Sequence, residues 1–184
     1  MKIALLSIRP EWVEKILSGE KVIEVRKQPP RGCDRILIYS TIDPKYPELS
    51  GKIVAEFRAT EPLLSDKFGS RPLSELTCLT QEQVDAYSGG KPVYGLHTKV
   101  CFRRYDKPYT LADFGLKRAP QNYLYIPEEV YTKVVQPHQN TELQITCAHC
   151  QTVIKPPFGW DFDEDERVPI CPVCGEEILL PEGW

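Results

Sequence analysis

Apolar and polar positions along the first part of the chain switch between two periods. Residues 2–8 (Lys2-Ile3-Ala4-Leu5-Leu6-Ser7-Ile8) form a short apolar run closed by Arg9-Pro10, a strand pattern. The period then changes: Trp12, Val13, Ile16 and Leu17 fall on one helical face. Pro10 suits the first helical turn, where a missing N–H costs nothing, and Gly19 suits the residue past the helix end, where φ turns positive. Glu11 near the start and Lys15 four residues on suit the helix dipole and each other. Alternation returns in Val22-Ile23-Glu24-Val25-Arg26 and is broken by Gln28-Pro29-Pro30-Arg31-Gly32. Residues 35–40 and 52–58 read as two more strands. Thr80 to Tyr87 reads as a short helix with Thr80 as N-cap and Gln83 at the capping-box position. Val93 to Tyr105 is strand-like, Thr110 to Phe114 a helical turn, 115–125 a loop entering a strand, and Pro127 to Val135 a helix.

Strands are not separated by regular helices, so a doubly wound parallel sheet is not expected. The pattern predicts an α+β fold: a small, mostly antiparallel β-barrel with flanking helices. Gln136-Pro137-His138-Gln139-Asn140-Thr141 is polar and breaks the pattern, which sets the expected boundary between a first domain, 1–138, and a second, 139–184.

Composition adds exclusions. The chain has 184 residues, 41% hydrophobic and 27% charged, ordinary for a soluble globular protein. No apolar run approaches the ~20 residues that span a bilayer, and the opening run lacks a signal-peptide cleavage site. No membrane association is expected. Net charge is −3, but it is unevenly divided. Residues 1–138 carry 21 Lys and Arg against 17 Asp and Glu, a balance of +4; residues 139–184 carry 2 against 9, a balance of −7. Any nucleic-acid contact belongs on the first unit, and the absence of a strongly basic chain argues against tight non-specific duplex binding.

The seven cysteines divide the same way. Cys33, Cys78 and Cys101 are scattered, while Cys147-Ala148-His149-Cys150 and Cys171-Pro172-Val173-Cys174 are two Cys-x2-Cys pairs with twenty residues between them. Each pair lets one tight turn present two thiolates to a metal, and two such turns complete a tetrahedral site of four thiolates. A disulfide framework would need a secretory context. The expectation is a zinc ribbon holding one structural Zn²⁺ through Cys147, Cys150, Cys171 and Cys174, in a reducing, cytoplasmic compartment. Four sulfur ligands leave no open position, so the metal is not catalytic. His149 lies inside the first turn as a bystander. Between the turns, Asp161-Phe162-Asp163-Glu164-Asp165-Glu166 is an acidic loop: a solvated charge run, or a protein-partner site.

The segment Ser7-Ile8-Arg9-Pro10 through Gly19-Glu20-Lys21-Val22-Ile23-Glu24-Val25-Arg26 is more specific than its period. It resembles the opening of an ASCH domain: an apolar strand, an Ile-Lys/Arg-Pro step, a helix ending Ile-Leu-x-Gly, then Gly-x-Lys-x-x-Glu-x-Arg. Gly19, Lys21, Glu24 and Arg26 occupy those places, and residues 35–40 and 51–54 fall where that family's next strands fall. The resemblance covers residues 1 to about 130. It implies a PUA-like β-barrel with a basic cleft beside the first helix, holding RNA, single-stranded nucleic acid or a nucleotide.

Those residue types suit the task. Lys21 is a mobile point charge for a phosphate or base edge. Glu24 accepts from an exocyclic amino group, and Arg26 forks to a phosphate or pairs with Glu24 on the same strand face. By charge alone, the same residues also describe an ordinary surface pair worth ~0–1 kcal/mol. Arg9, Arg103, Lys117 and Arg118 extend the candidate nucleic-acid surface, because Phe102-Arg103-Arg104-Tyr105 and 117–125 interleave basic and aromatic residues. An alternative is a hydrolase acting on RNA or a modified nucleoside through Lys21 and Glu24 as acid and base. Hydrolytic relatives of the fold that cleave acylated cytidine use a Lys and a Thr three residues later. Here that Thr is Glu24, which cannot be a hydroxyl nucleophile. Binding without turnover is the expectation.

Overall fold

The computed structural model describes residues 1–64 and 73–135, with two short strands at 145–146 and 153–154. The chain divides into two compact units, Met1–Val134 and Val135–Trp184. The elements of the first, in chain order, are β1 (Ile3–Ile8), α1 (Pro10–Leu17), β2 (Ile23–Arg26), β3 (Arg35–Ser40), β4 (Ile53–Arg58) and β5 (Leu63–Leu64). There follow α2 (Leu73–Thr77), α3 (Gln81–Ser88), β6 (Tyr94–His97), β7 (Arg103–Tyr109), a 3₁₀ turn (Ala112–Phe114), β8 (Tyr123–Ile126) and α4 (Glu128–Val134).

The fold is mixed α+β, as the pattern predicts. A five-stranded sheet runs in the order β7-β4-β3-β1-β8, and β2-β6-β5 form a second sheet. Among the described residues of this unit all pairings are antiparallel except β1 with β3, which run parallel with Leu5 opposite Leu37. That one parallel pair exists because the connection from Ile8 to Arg35 is long enough to hold α1 and β2. The described strands of this unit form two separate sheets. β1 is buried at every position, the signature of a strand covered on both faces. One face carries Ala4, Leu6, Ile8, Ile36, Ile38 and Phe57 against Val13 and Ile16 of α1 and Leu96 of β6. Full burial of each large aliphatic chain contributes about 1.5–3 kcal/mol, so α1 is held by its apolar stripe rather than by its eight-residue length.

The opposite face holds a buried polar centre. Glu56 of β4 is 1% exposed. It accepts from Arg35 of β3 at 3.3 Å and from the Tyr131 hydroxyl of α4 at 2.8 Å, and Arg103 of β7 lies 3.8 Å away. Tyr105 is buried beside it, and burial first, then the Glu56 carboxylate, push its phenol far above the ordinary tyrosine range.

Two features of the predicted pattern change. The stretch 93–105 is not one strand: it splits into β6 and β7, which belong to different sheets. Between them the buried Thr98 donates its hydroxyl to Lys21 O and Val22 O, and Cys101 adopts φ 46°. Periodicity also misses β5 and α2, elements too short to show a period. The capping box at α3 forms as read. Thr80 Oγ1 accepts from Gln83 N at 3.2 Å, and Gln83 Oε1 accepts from Thr80 N at 2.9 Å.

In the second unit, β9 (Ile145–Thr146) pairs antiparallel with β10 (Val153–Ile154). Cys147, Cys150, Cys171, Cys174 and the acidic loop 161–166 lie outside the described residues. Among the described residues no group of three His, Cys, Asp or Glu side chains is placed to hold a metal, and no helix is long and apolar enough to cross a membrane.

Candidate functional site: a buried Lys21–Glu24–Arg26 cluster

The site is built by the turn after α1. The helix closes with Ser18 N donating to Glu14 O and Gly19 N to Ile16 O. Gly19 sits at φ +82°, which reverses the chain, and Lys21 N then returns to Lys15 O at 2.9 Å. This turn aims Lys21 inward. Its side chain is 1% exposed, so the mobile surface cation expected from the sequence is instead fixed. Its Nζ donates to Thr77 O at 2.6 Å, lies 3.4 Å from Glu24 Oε2, and stands 5.4 Å from the Trp12 ring centroid. Thr77 is the last residue of α2, whose own place is fixed by Val22 N donating to Leu76 O. Burial pulls the Lys21 pKa below its ordinary value, with Glu24 opposing the shift.

Glu24 and Arg26 share a face of β2, as alternation requires. Arg26 Nη2 stands 2.9 Å from Glu24 Oε1 and donates to Ser7 O at 2.6 Å, while Nη1 donates to Asn122 Oδ1 at 3.1 Å. Arg26 Nε is buried with no hydrogen-bond partner among the described residues. Asn122 Nδ2 in turn donates to Gln28 O at 2.8 Å. The nearby hydroxyls serve the frame: Ser7 donates to Pro120 O and Thr98 to Lys21 O and Val22 O, so neither hands its proton to a base. Two cations around one carboxylate leave one positive charge uncompensated within the cluster, and in a poorly solvated site that charge favours an anion.

The structure unites Lys21, Glu24 and Arg26 and leaves the other candidates apart from them. Arg9 is the residue before α1, 78% exposed, with its guanidinium 3.8 Å from Glu11. Arg103 belongs to the Glu56 centre and lies over the Tyr105 ring at 5.5 Å. Lys117 and Arg118 are exposed in the loop that leads to Pro120 and Asn122. An open hollow lined by Lys15, Glu20, Cys78 and Thr80 lies on the α1–α2–α3 side and contains none of the three cluster residues. Sequence reasoning missed Ser7, Thr77 and Asn122 as members. No local signal marks them, since Thr77 is 56 residues from Lys21 and Asn122 is 96 from Arg26.

The first unit is a two-sheet α+β domain with this polar cluster behind its first helix. The sequence model of the ASCH domain matches residues 6–156, most of the chain, and the chain belongs to that family. Among solved structures it is similar to the ASCH protein of Zymomonas mobilis. The TM-score is 0.55 at 20% identity over 73% of this chain and 94% of that one. A serine-to-alanine variant of the same protein gives 0.54 at 21% identity over 73% and 95%. A tyrosine-to-phenylalanine variant gives 0.56 at 21% identity over 74% and 98%. At this identity the likeness is one of fold. No curated protein matches the chain.

Proposed function

We propose that the first unit is a binding module for RNA, single-stranded nucleic acid or a nucleotide, received at the Lys21–Glu24–Arg26 cluster. The observation that carries this reading is the surplus positive charge on a rigid frame: Lys21 and Arg26 flank a single carboxylate, and Arg26 Nε keeps an unspent donor. Preorganised donors lose little entropy on binding, and Glu24 adds an acceptor for a base amino group. Membership of the ASCH family, whose PUA-like fold often serves RNA binding, supports the same reading.

Fluorescence anisotropy with labelled single-stranded RNA and DNA, across salt, tests it. Arg26→Met should weaken binding about tenfold or more and lower the salt slope by about one. Glu24→Gln should alter base preference more than affinity. Equal affinity of wild type and Arg26→Met, with both folded by circular dichroism, would remove the cluster from the account. Multiple-turnover cleavage of either substrate would replace the binding reading with the hydrolase one.

The second unit, taken as 139–184, is proposed to be a ribbon around one structural Zn²⁺ held by Cys147, Cys150, Cys171 and Cys174. The pairing of β9 with β10 supports it. Those two strands flank, in sequence, the six residues 147–152 that contain the first Cys-x2-Cys pair. The acidic loop 161–166 repels phosphates and is offered as the place for a protein partner.

A further inference from the structure

Outside the buried cluster, the described surface carries a run of tyrosine rings alternating with cations. Lys2 Nζ stands 4.0 Å from the Tyr125 ring centroid. The Tyr125 hydroxyl accepts from Arg31 N at 3.2 Å and donates to Arg31 O at 3.0 Å. The Arg31 guanidinium lies 5.0 Å from the centroid of Tyr94. Tyr94 is the register partner of Arg26 across β2 and β6. The next residue, Lys27, stands 5.0 Å from the Tyr87 ring, and its backbone N–H donates to the Tyr87 hydroxyl at 3.4 Å. Contacts therefore run from Lys2 and Tyr125 through Arg31 to Tyr94, and Arg26, the register partner of Tyr94, is followed in sequence by Lys27, which meets Tyr87.

Exposure and charge say what such a run accepts. Tyr87 and Tyr125 are 41% and 40% exposed, among the few large apolar side chains left open to solvent in the described chain. Lys2, Lys27 and Arg31 are exposed and make no ion pair among the described residues, unlike Lys15, Arg35 or Arg103. The acids nearest in sequence are both engaged: Glu24 by Lys21 and Arg26, and Asp34 by the backbone N–H of Lys2 at 2.6 Å. The supporting loop is fixed in advance. Pro29 and Pro30 are buried, Gln28 O is held by Asn122, and Arg31 is held at both backbone groups by Tyr125. Flat rings at intervals, with exposed cations between them, match a polymer of stacked bases joined by phosphates. An acidic peptide would use the cations and leave the rings idle.

We infer that Tyr125, Arg31, Tyr94, Lys27 and Tyr87 form a track for single-stranded nucleic acid that leads past the Arg26 cluster. One nucleotide enters the cluster while its neighbours stack along the track. This rests on the reading of the cluster given above, and the test separates the two. Anisotropy of the full chain is measured with oligouridylate and oligothymidylate of about twelve nucleotides, with a nucleoside monophosphate as competitor. Wild type should bind an oligomer far more tightly than the monophosphate. Tyr87→Ala and Tyr125→Ala should each lower oligomer affinity about fivefold or more, and leave monophosphate competition unchanged. Arg31→Ala should lower the salt slope by about one. Tyr87→Phe keeps the ring and should bind as wild type, which guards against a fold defect in Tyr87→Ala. Oligomer affinity unchanged in both alanine variants overturns the track. So does oligomer binding no tighter than the monophosphate, or equal displacement by polyglutamate. If the monophosphate does not bind while oligomer binding still depends on Tyr87 and Tyr125, the cluster reading falls and the track stands.

Discussion

Lys21 shows how far a residue's chemistry depends on where the chain puts it. In sequence it is a lysine after a glycine turn; in the structure it is a buried ammonium held by a carbonyl, a carboxylate and an indole face. Its folded pKa lies below the ordinary 10.5, chiefly through burial. The unfolded chain therefore binds this proton more readily than the folded one, and stability must rise with pH between the folded and the unfolded pKa. Below that window the burial penalty is present in full. Lys21→Met removes the titration and leaves Glu24 paired with Arg26. Urea denaturation of both proteins from neutral pH to about pH 10.5 should show wild type gaining on the variant as pH rises. A constant difference would mean that Lys21 titrates as if exposed. That Lys21, Glu24 and Arg26 lie together was legible from their spacing and from the ASCH motif. That Lys21 is buried was not, because the walls of its site come from α2, Thr98 and Trp12, and no spacing rule links those positions.

Among the elements, the best predicted were those whose signals are local. The helix from Pro10, its glycine exit and the Thr80–Gln83 box all follow from side chains within one turn. The sequence could not place Tyr94 and Arg103 in different sheets, because the break between them depends on Thr98 reaching carbonyls 76 and 77 residues away. The Gly19 turn gives the sharpest test at this scale. At φ +82° an alanine is strained whatever the space, and a Cβ there would stand 3.4 Å from Lys99 Nζ, so the neighbour offers no hard obstacle. Gly19→Ala should cost about 1–2 kcal/mol from backbone strain alone, read as a lower denaturant midpoint at unchanged m-value. Since Lys21 hangs from this turn, the variant should weaken ligand binding as well. Full stability in Gly19→Ala would mean that the turn does not constrain Lys21.

Across the whole molecule, charge and cysteine usage divide the chain in the same place. The surplus of basic residues, the buried cluster and the tyrosine track all fall on the first unit, while the acidic surplus falls beyond it. About 46 residues are too few to bury a core without a staple, and a zinc ion held by four thiolates would supply one. Protein purified without added metal should carry about one zinc per chain by elemental analysis, and Cys171→Ser should release it while the first unit keeps its unfolding midpoint. A metal-free chain that loses nothing on Cys171→Ser would discard the ribbon. The change in charge and cysteine usage along the chain was legible because composition is a bulk property. The division into two sheets was not, since pairing partners such as β1 and β3 are chosen by long-range packing.

The Glu56 centre has a consequence for cutting the chain into pieces. Its carboxylate is met by β3, by β7 and, through Tyr131, by the last helix of the first unit. A fragment ending at Ile126 keeps every strand of both sheets yet removes the Tyr131 donor and its cover from a carboxylate that the whole unit buries, leaving Arg35 and Arg103 to hold it. Such a fragment has the outline of the domain without the keystone of its rear wall. A cut that keeps this centre whole therefore falls after α4, at Val134, eight residues beyond the last strand of its sheets.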